Sequence, residues 1–300
     1  MSDSKAAGRA PSVSFEFFPP KTPAASANLW ASVERLAPLG PKFVSVTYGA
    51  GGTTRERTIA AIQAIRDRVG LDVAGHLTCV GATEAETLGV ARSYRKLGCR
   101  RIVALRGDPP KGEGRFTRHP GGFGSSMELI SALARDGWTG ICVGAYPEKH
   151  PEAADPDADV DHLKRKLDAG GAAAITQFFF DNADFLRFRD RCAKAGITAP
   201  IYPGVLPIEN FAKMKRFAEG CGATVPEWLG KAFETAEAQD ATDLLAISIA
   251  AEQCADLMAE GVEHIHLYTL NNPDLPYQVC RAIGVEPQAM RVAAAGGGCA

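Results

Sequence analysis

Apolar residues along the chain follow two alternating periods. Short runs of mostly apolar residues end in polar residues or glycine, and each leads into a segment with apolar residues at helical spacing. The runs span 13–18, 43–47, 73–78, 101–105, 140–145, 172–178, 200–204 and 264–268. In the helical segment 56–69, Ile59, Ile62, Ile65 and Val69 share one face. Thr83 and Glu86 predict a capping box at the next helix start, and Ser125 with Glu128 predicts another. Asp181 is the expected N-cap of a helix running through Cys192. Extra helix is expected within 221–241, ahead of a long helix over 242–260.

Eight strand signals separated by helices predict parallel strands, because parallel neighbours need crossover connections. The count favours a closed (β/α)₈ TIM barrel, with extra helices before the eighth strand, over an open sheet. Residues 13–290 form the expected barrel, 1–12 a flexible N-terminal segment, and 291–300 a flexible Ala/Gly-rich tail. With 300 residues the chain is long enough to bury a core without staples. A net charge of −2 argues against a nucleic-acid or membrane-surface binder. No apolar run of about 18 residues is present to span a bilayer, and the polar N-terminus has no signal-peptide pattern. The eight scattered cysteines lack metal-ligand spacing, so they read as buried small hydrophobes plus an exposed Cys299, and the expected compartment is the cytoplasm.

In such barrels the chemistry gathers at the C-terminal ends of the strands. That rule selects Glu16, Thr47, Tyr48, His76, Arg106, Gly107, Asp108, Tyr146, Gln177 and the segment after Gly204. Glu16 lies on the strand face opposite Phe15 and Phe17. If it faces the lumen, desolvation is expected to raise its pKa and make it a general acid; the competing reading is an ion pair with a neighbouring Arg or Lys. Arg106-Gly107-Asp108 reads either as a cation, a close backbone approach and a carboxylate over a bound ring, or as a turn. In the segment 150–166, Asp159, Arg165 and Lys166 read equally as a dinucleotide clamp or as a solvated helix start. His264 and His266 share a strand face without a third ligand, which favours a structural role over a metal pair; no metal is expected. Phe211 reads as core or as a stacking surface for a flat ligand.

Several motifs resemble the bacterial-type methylenetetrahydrofolate reductase family. They are Val13-Ser14-Phe15-Glu16-Phe17-Phe18-Pro19-Pro20-Lys21, Phe43-Val44-Ser45-Val46-Thr47-Tyr48-Gly49-Ala50, His76-Leu77-Thr78-Cys79, Ala104-Leu105-Arg106-Gly107-Asp108, Tyr146-Pro147-Glu148-Lys149-His150-Pro151, Lys164-Arg165-Lys166-Leu167-Asp168-Ala169-Gly170, Thr176-Gln177-Phe178-Phe179-Phe180-Asp181 and Tyr268-Thr269-Leu270-Asn271. They run in order from residue 13 to about 285. The resemblance implies a barrel that binds FAD and reduces 5,10-methylenetetrahydrofolate to 5-methyltetrahydrofolate with NADH or NADPH by ping-pong hydride transfer, feeding methyl groups to methionine synthesis. It implies that Glu16 is the acid that opens the folate ring, that Asp108 lies near flavin and pterin, and that Gln177, Thr47 and Phe211 meet folate or nicotinamide. It implies FAD contacts from Thr47, Tyr48, Ala50, His76, Arg106, Gly107 and Asp108, and from Tyr146, His150, Ala153, Asp159, Arg165 and Lys166. It also implies a homo-oligomer.

The chain departs from the family pattern in three places. Asn271-Asn272 stands where Asn-Arg is frequent, an arginine that can meet the folate's glutamate tail, so Asn272 becomes the candidate tail contact. His162 replaces a frequent Asn, and the loop 111–122 is several residues longer. A folate-binding barrel without independent NAD(P)H oxidation is the alternative.

Overall fold

The computed structural model describes residues 10–49, 55–108 and 116–288. Eight parallel strands, hydrogen-bonded in sequence order, close on themselves: β1 (Ser12–Phe17), β2 (Phe43–Val46), β3 (Val73–Thr78), β4 (Arg101–Leu105), β5 (Gly140–Ala145), β6 (Ala173–Phe178), β7 (Ile201–Val205) and β8 (His264–Tyr268). Closure comes from the β1–β8 pairing, in which Ser14 is in register with His266 and Glu16 with Tyr268. The expected barrel is therefore the observed one. Strand ends shift by a residue from the sequence reading. Thr47 lies just past β2, where its N–H still donates to the Phe17 carbonyl at 2.9 Å while its own carbonyl accepts from the Thr58 hydroxyl. Pro200, with no N–H for the ladder, stays outside β7.

The helices between the strands form the outer layer. They are α1 (Pro23–Leu36), α2 (Arg55–Val69), α3 (Glu84–Lys96), α4 (Ser126–Arg135), α5 (Pro156–Asp168), α6 (Asn182–Lys194), α7 (Phe211–Cys221), α8 (Glu227–Ala238), α9 (Thr242–Ala259) and α10 (Asp274–Ala282). The extra helix expected before β8 is α8. Its Leu229 and Phe233 pack with Met214 of α7, Ala246 of α9 and Ile208 into a cluster beside the mouth. Thr83 caps α3 with both arms of the capping box. The second predicted box is only half present. Ser125 accepts from Glu128 N, but the Glu128 carboxylate turns to Gly124 N at 2.9 Å instead of back to Ser125. Asp181 caps α6 as expected.

Alternation along the strands divides the interior in two. Phe15 and Phe17 of β1, Val44 and Val46 of β2 and their counterparts pack outward against the helices. The inward set, Phe43, Ala74, Val103, Cys142, Ala173, Ile175 and Tyr202, fills the lower lumen. Because all strands run one way, their C-terminal ends form a single mouth above this apolar layer. The free cysteines among the described residues are buried, apart from half-buried Cys221; Cys299 lies outside the described residues. No helix there is long and apolar enough to cross a membrane, and no cluster of three potential metal ligands occurs there.

Candidate functional site at the barrel mouth

β1 carries Ser14 and Glu16 on its inward face. Glu16 therefore sits in the lumen just below the mouth, between β2 and β8, with its side chain 13% exposed. Two imidazoles flank it. His76 of β3 places Nε2 at 3.3 Å from Oε2, and His266 of β8 places Nε2 at 3.9 Å. Neither contact has hydrogen-bond alignment, so both Nε2 atoms are buried without a partner. Burial works to raise the Glu16 pKa, but attraction and hydrogen-bonding tendency toward His76 and His266 outweigh it and pull the carboxyl down to about 2. This corrects the expected raised pKa: the lumen around Glu16 is not the purely apolar one that the flanking phenylalanines suggested. Those phenylalanines point the other way, and the side chains facing the carboxylate are histidines rather than Arg or Lys.

Glu16 belongs to a polar ladder. Ser12 Oγ lies 2.7 Å from His264 Nδ1, Ser14 Oγ lies 2.8 Å from His264 Nε2, and Ser14 Oγ lies 2.7 Å from His266 Nδ1. The rings of His264 and His266 stack on Phe43 at 6.0 Å. Each ring nitrogen facing β1 is taken by a serine, except His266 Nε2, which faces Glu16.

The loops above the strands bring the other candidates together. Gly107, in the turn after β4, has φ +88°, and a Cβ there would fall 2.9 Å from Thr78 and Val80 side-chain atoms, so the backbone runs close over β3. Arg106 beside it forms a two-pronged pair with Glu152, one prong at 2.8 Å, tying this turn to the β5–α5 loop. Asp108 is exposed and close enough to Tyr146 to act on it. Burial, followed by the negative charges of Asp108 and Asp159, pushes the Tyr146 phenol up to about 12. Tyr146 meets the His150 ring edge-on at 4.6 Å. Burial holds the His150 imidazole below its ordinary pKa.

Asp159 is buried at the start of α5, where its Oδ2 accepts from His150 N at 2.9 Å. Ala153 N donates to His150 O, completing that turn. Nearly two turns later in α5, Arg165 is exposed, whereas Lys166 is buried, with Nζ donating to the Gly144 carbonyl near the end of β5. Burial lowers Lys166 to about 8 despite the nearby Asp159. The two cations that the sequence groups as one clamp therefore sit in different environments.

Gln177 is the penultimate residue of β6, its Oε1 accepting from Phe178 N at 3.0 Å. With Tyr146 and Cys221 it lines a small depression in the mouth. Tyr48 accepts from Arg55 Nε at 3.3 Å. Phe211 opens α7 with one face stacked on Phe233 at 5.4 Å. Asn272 lines a second depression, with Tyr268 and Glu209, and its Oδ1 accepts from Asp274 N at 3.1 Å. Ala50 lies outside the described residues. Sequence reasoning missed Glu152 and the Glu16–His266 approach. The second was within reach, because Ser14/Glu16 and His264/His266 share one parity on strands that a closed barrel makes neighbours.

A family profile described as methylenetetrahydrofolate reductase matches residues 2–284. The chain is 47% identical over 276 residues to 5,10-methylenetetrahydrofolate reductase of Escherichia coli, covering 92% of this chain and 91% of that protein. It is 36% identical over 270 residues to methylenetetrahydrofolate reductase (NADH) 1 of Arabidopsis thaliana, covering 86% of this chain and 46% of the plant protein. Among solved structures, an uncharacterized Clostridium thermocellum protein that binds two copies of 5-methyl-5,6,7,8-tetrahydrofolic acid shares the fold, with a TM-score of 0.58 at 15% identity over 91% of this chain and 94% of that one.

Proposed function

The chain belongs to the methylenetetrahydrofolate reductase family, and from that premise we propose that it reduces 5,10-methylenetetrahydrofolate to 5-methyltetrahydrofolate, with FAD as resident cofactor and NADH or NADPH as donor. The observation that carries the reading is a single carboxylate, Glu16, held by two imidazoles inside the lumen directly below the mouth. The E. coli and Arabidopsis relatives are named for this reduction.

The residues at the mouth fit a flavin dinucleotide. Two buried hydroxyls there, Ser45 Oγ and Thr78 Oγ1, lack hydrogen-bond partners and so are available to a polar ring. Gly107 lets the backbone pass close to a flat group, and Arg106, Asp108, Tyr48 and Thr47 rim the same opening. Arg165 at the surface of α5 is the candidate pyrophosphate partner. Lys166 adds positive charge from beneath, and Asp159, His150, Ala153 and Tyr146 shape the ribose end. FAD, when bound, supplies the acceptance and donation of hydride.

The chain's own residues do the rest. Gln177 and Thr47 orient donor and folate, half-buried Phe211 is the candidate stacking ring, and Asn272 is a candidate contact for the folate. Both substrates use the same mouth in turn, which gives ping-pong kinetics. Glu16, ionised beside the imidazoles, must first take up a proton, which it then delivers to the folate's bridging nitrogen as the five-membered ring opens, so that the one-carbon unit can accept hydride. Asp108 acts from the rim, its negative charge favouring the cationic form that ring opening creates.

The test is reconstitution with FAD followed by anaerobic half-reactions. The protein is expected to bind FAD and turn yellow, to bleach with NADH or NADPH, and to regain colour with methylenetetrahydrofolate. Asp108→Asn is expected to slow the folate step more than it weakens FAD binding. A chain that refuses FAD overturns the reading. One that binds FAD and folate but is bleached by neither donor is the folate-binding barrel without independent NAD(P)H oxidation.

A further inference from the structure

We propose that the ladder Ser12–His264–Ser14–His266 is a proton relay that reloads Glu16 from the floor of the barrel, opposite the mouth. The inference rests on the reading of Glu16 as the acid. The geometry carries it. Four groups span the lumen with successive separations of 2.7, 2.8 and 2.7 Å. The lower end, Ser12, is exposed at the start of β1. The upper end, His266 Nε2, is fully buried, has no hydrogen-bond partner, and lies 3.9 Å from Glu16 Oε2. A shift of about 1 Å in Glu16 closes that gap. The relay enters from the side that ligands stacked over the mouth leave open.

The protons balance. In the loaded state the Ser12 hydroxyl donates to His264 Nδ1, His264 Nε2–H donates to Ser14 Oγ, the Ser14 hydroxyl donates to His266 Nδ1, and His266 Nε2–H faces Glu16. One proton arriving at Ser12 moves each hydrogen one link upward, and the last passes to Glu16. Both imidazoles then carry hydrogen on Nδ1, and the Ser12 hydroxyl turns to the Glu263 carbonyl, 3.1 Å away. His264 faces Lys42, Arg101 and Tyr202 as well as His266. Burial, then His266 and the two cations, keep its pKa down to about 3. The groups facing His266 are Glu16, Ser14, His264, Tyr268 and Phe43.

Nitrogen NMR of the imidazoles in the cofactor-free protein tests the wiring without any variant. The relay requires His264 and His266 to carry hydrogen on the same nitrogen, both Nε2 or both Nδ1. Opposite tautomers would put two donors or two acceptors on Ser14 and would overturn it. In the FAD-loaded protein, Ser14→Ala and His264→Phe are each expected to slow the folate half-reaction about tenfold and to change its solvent deuterium isotope effect, while reduction by the donor keeps its rate. A folded variant of either kind with the parent's folate rate and isotope effect overturns the relay. If Glu16→Gln abolishes the folate step while these variants do not slow it, the relay alone fails. If Glu16→Gln leaves that step intact, the reading of Glu16 fails.

Discussion

At Glu16 the same strand that supplies aromatic neighbours turns them away. Phe15 and Phe17 are fully buried against the helices, while Glu16 looks into a lumen lined by imidazoles and hydroxyls. The alternation placing them on opposite faces was legible in the sequence. Which groups faced Glu16 needed that parity combined with barrel closure, which brings β1 against β8 across about 250 residues. Gly107 is a second residue whose requirement is local and sharp. Its positive φ and the 2.9 Å approach to Thr78 and Val80 leave no room for a methyl group. Gly107→Ala is expected to cost about 2 kcal/mol of stability through backbone strain and overpacking, and to weaken FAD binding; denaturant titration and flavin retention measure the two effects. An unchanged midpoint would show that the turn can relax.

Among the elements, α3 and α5 are tuned at their ends by different means. Thr83 satisfies the α3 N-terminus through the reciprocal box with Glu86, so Thr83→Ala is expected to lower stability by about 1 kcal/mol in chemical denaturation. The Ser125 box was legible only in part, since its spacing fits equally well with Glu128 reaching Gly124. α1 and α10 follow β1 and β8 as the alternation expects, but their bounds were not read from the sequence. The buried stripe Leu29, Val33 and Leu36 of α1 is diluted by alanines, and α10 is short and interrupted by Pro276.

In α5, Lys166 makes a pH prediction. Its folded pKa of about 8 lies below the ordinary lysine value, so between about pH 8 and 10.5 the unfolded chain holds the extra proton. Stability relative to a Lys166→Met variant should therefore rise across that window, by an amount on the order of 3 kcal/mol, and stay flat below it. A difference independent of pH from 7 to 11 would mean that Lys166 is hydrated in the folded protein.

Over the whole molecule, eight strand signals within 300 residues were enough to specify a closed barrel, because each run is short, ends at a turn signal and is followed by a crossover helix. Closure then did what no local pattern shows. It set Glu16 between His76 and His266, and it placed Arg106 against Glu152 across two loops. The rim residues were legible because strand ends in this architecture converge on one face. Their division into exposed Arg165 and buried Lys166 was not, because neighbouring helix positions differ by about 100° in direction. The central claim is that this barrel couples hydride transfer to a proton held at Glu16. The most direct measurement is stopped-flow kinetics of Glu16→Gln in both half-reactions. The expected result is flavin reduction by the nicotinamide donor at close to the parent rate and a folate step slowed by about 10²-fold or more. Equal loss in both steps, or a folate step at the parent rate, would contradict it.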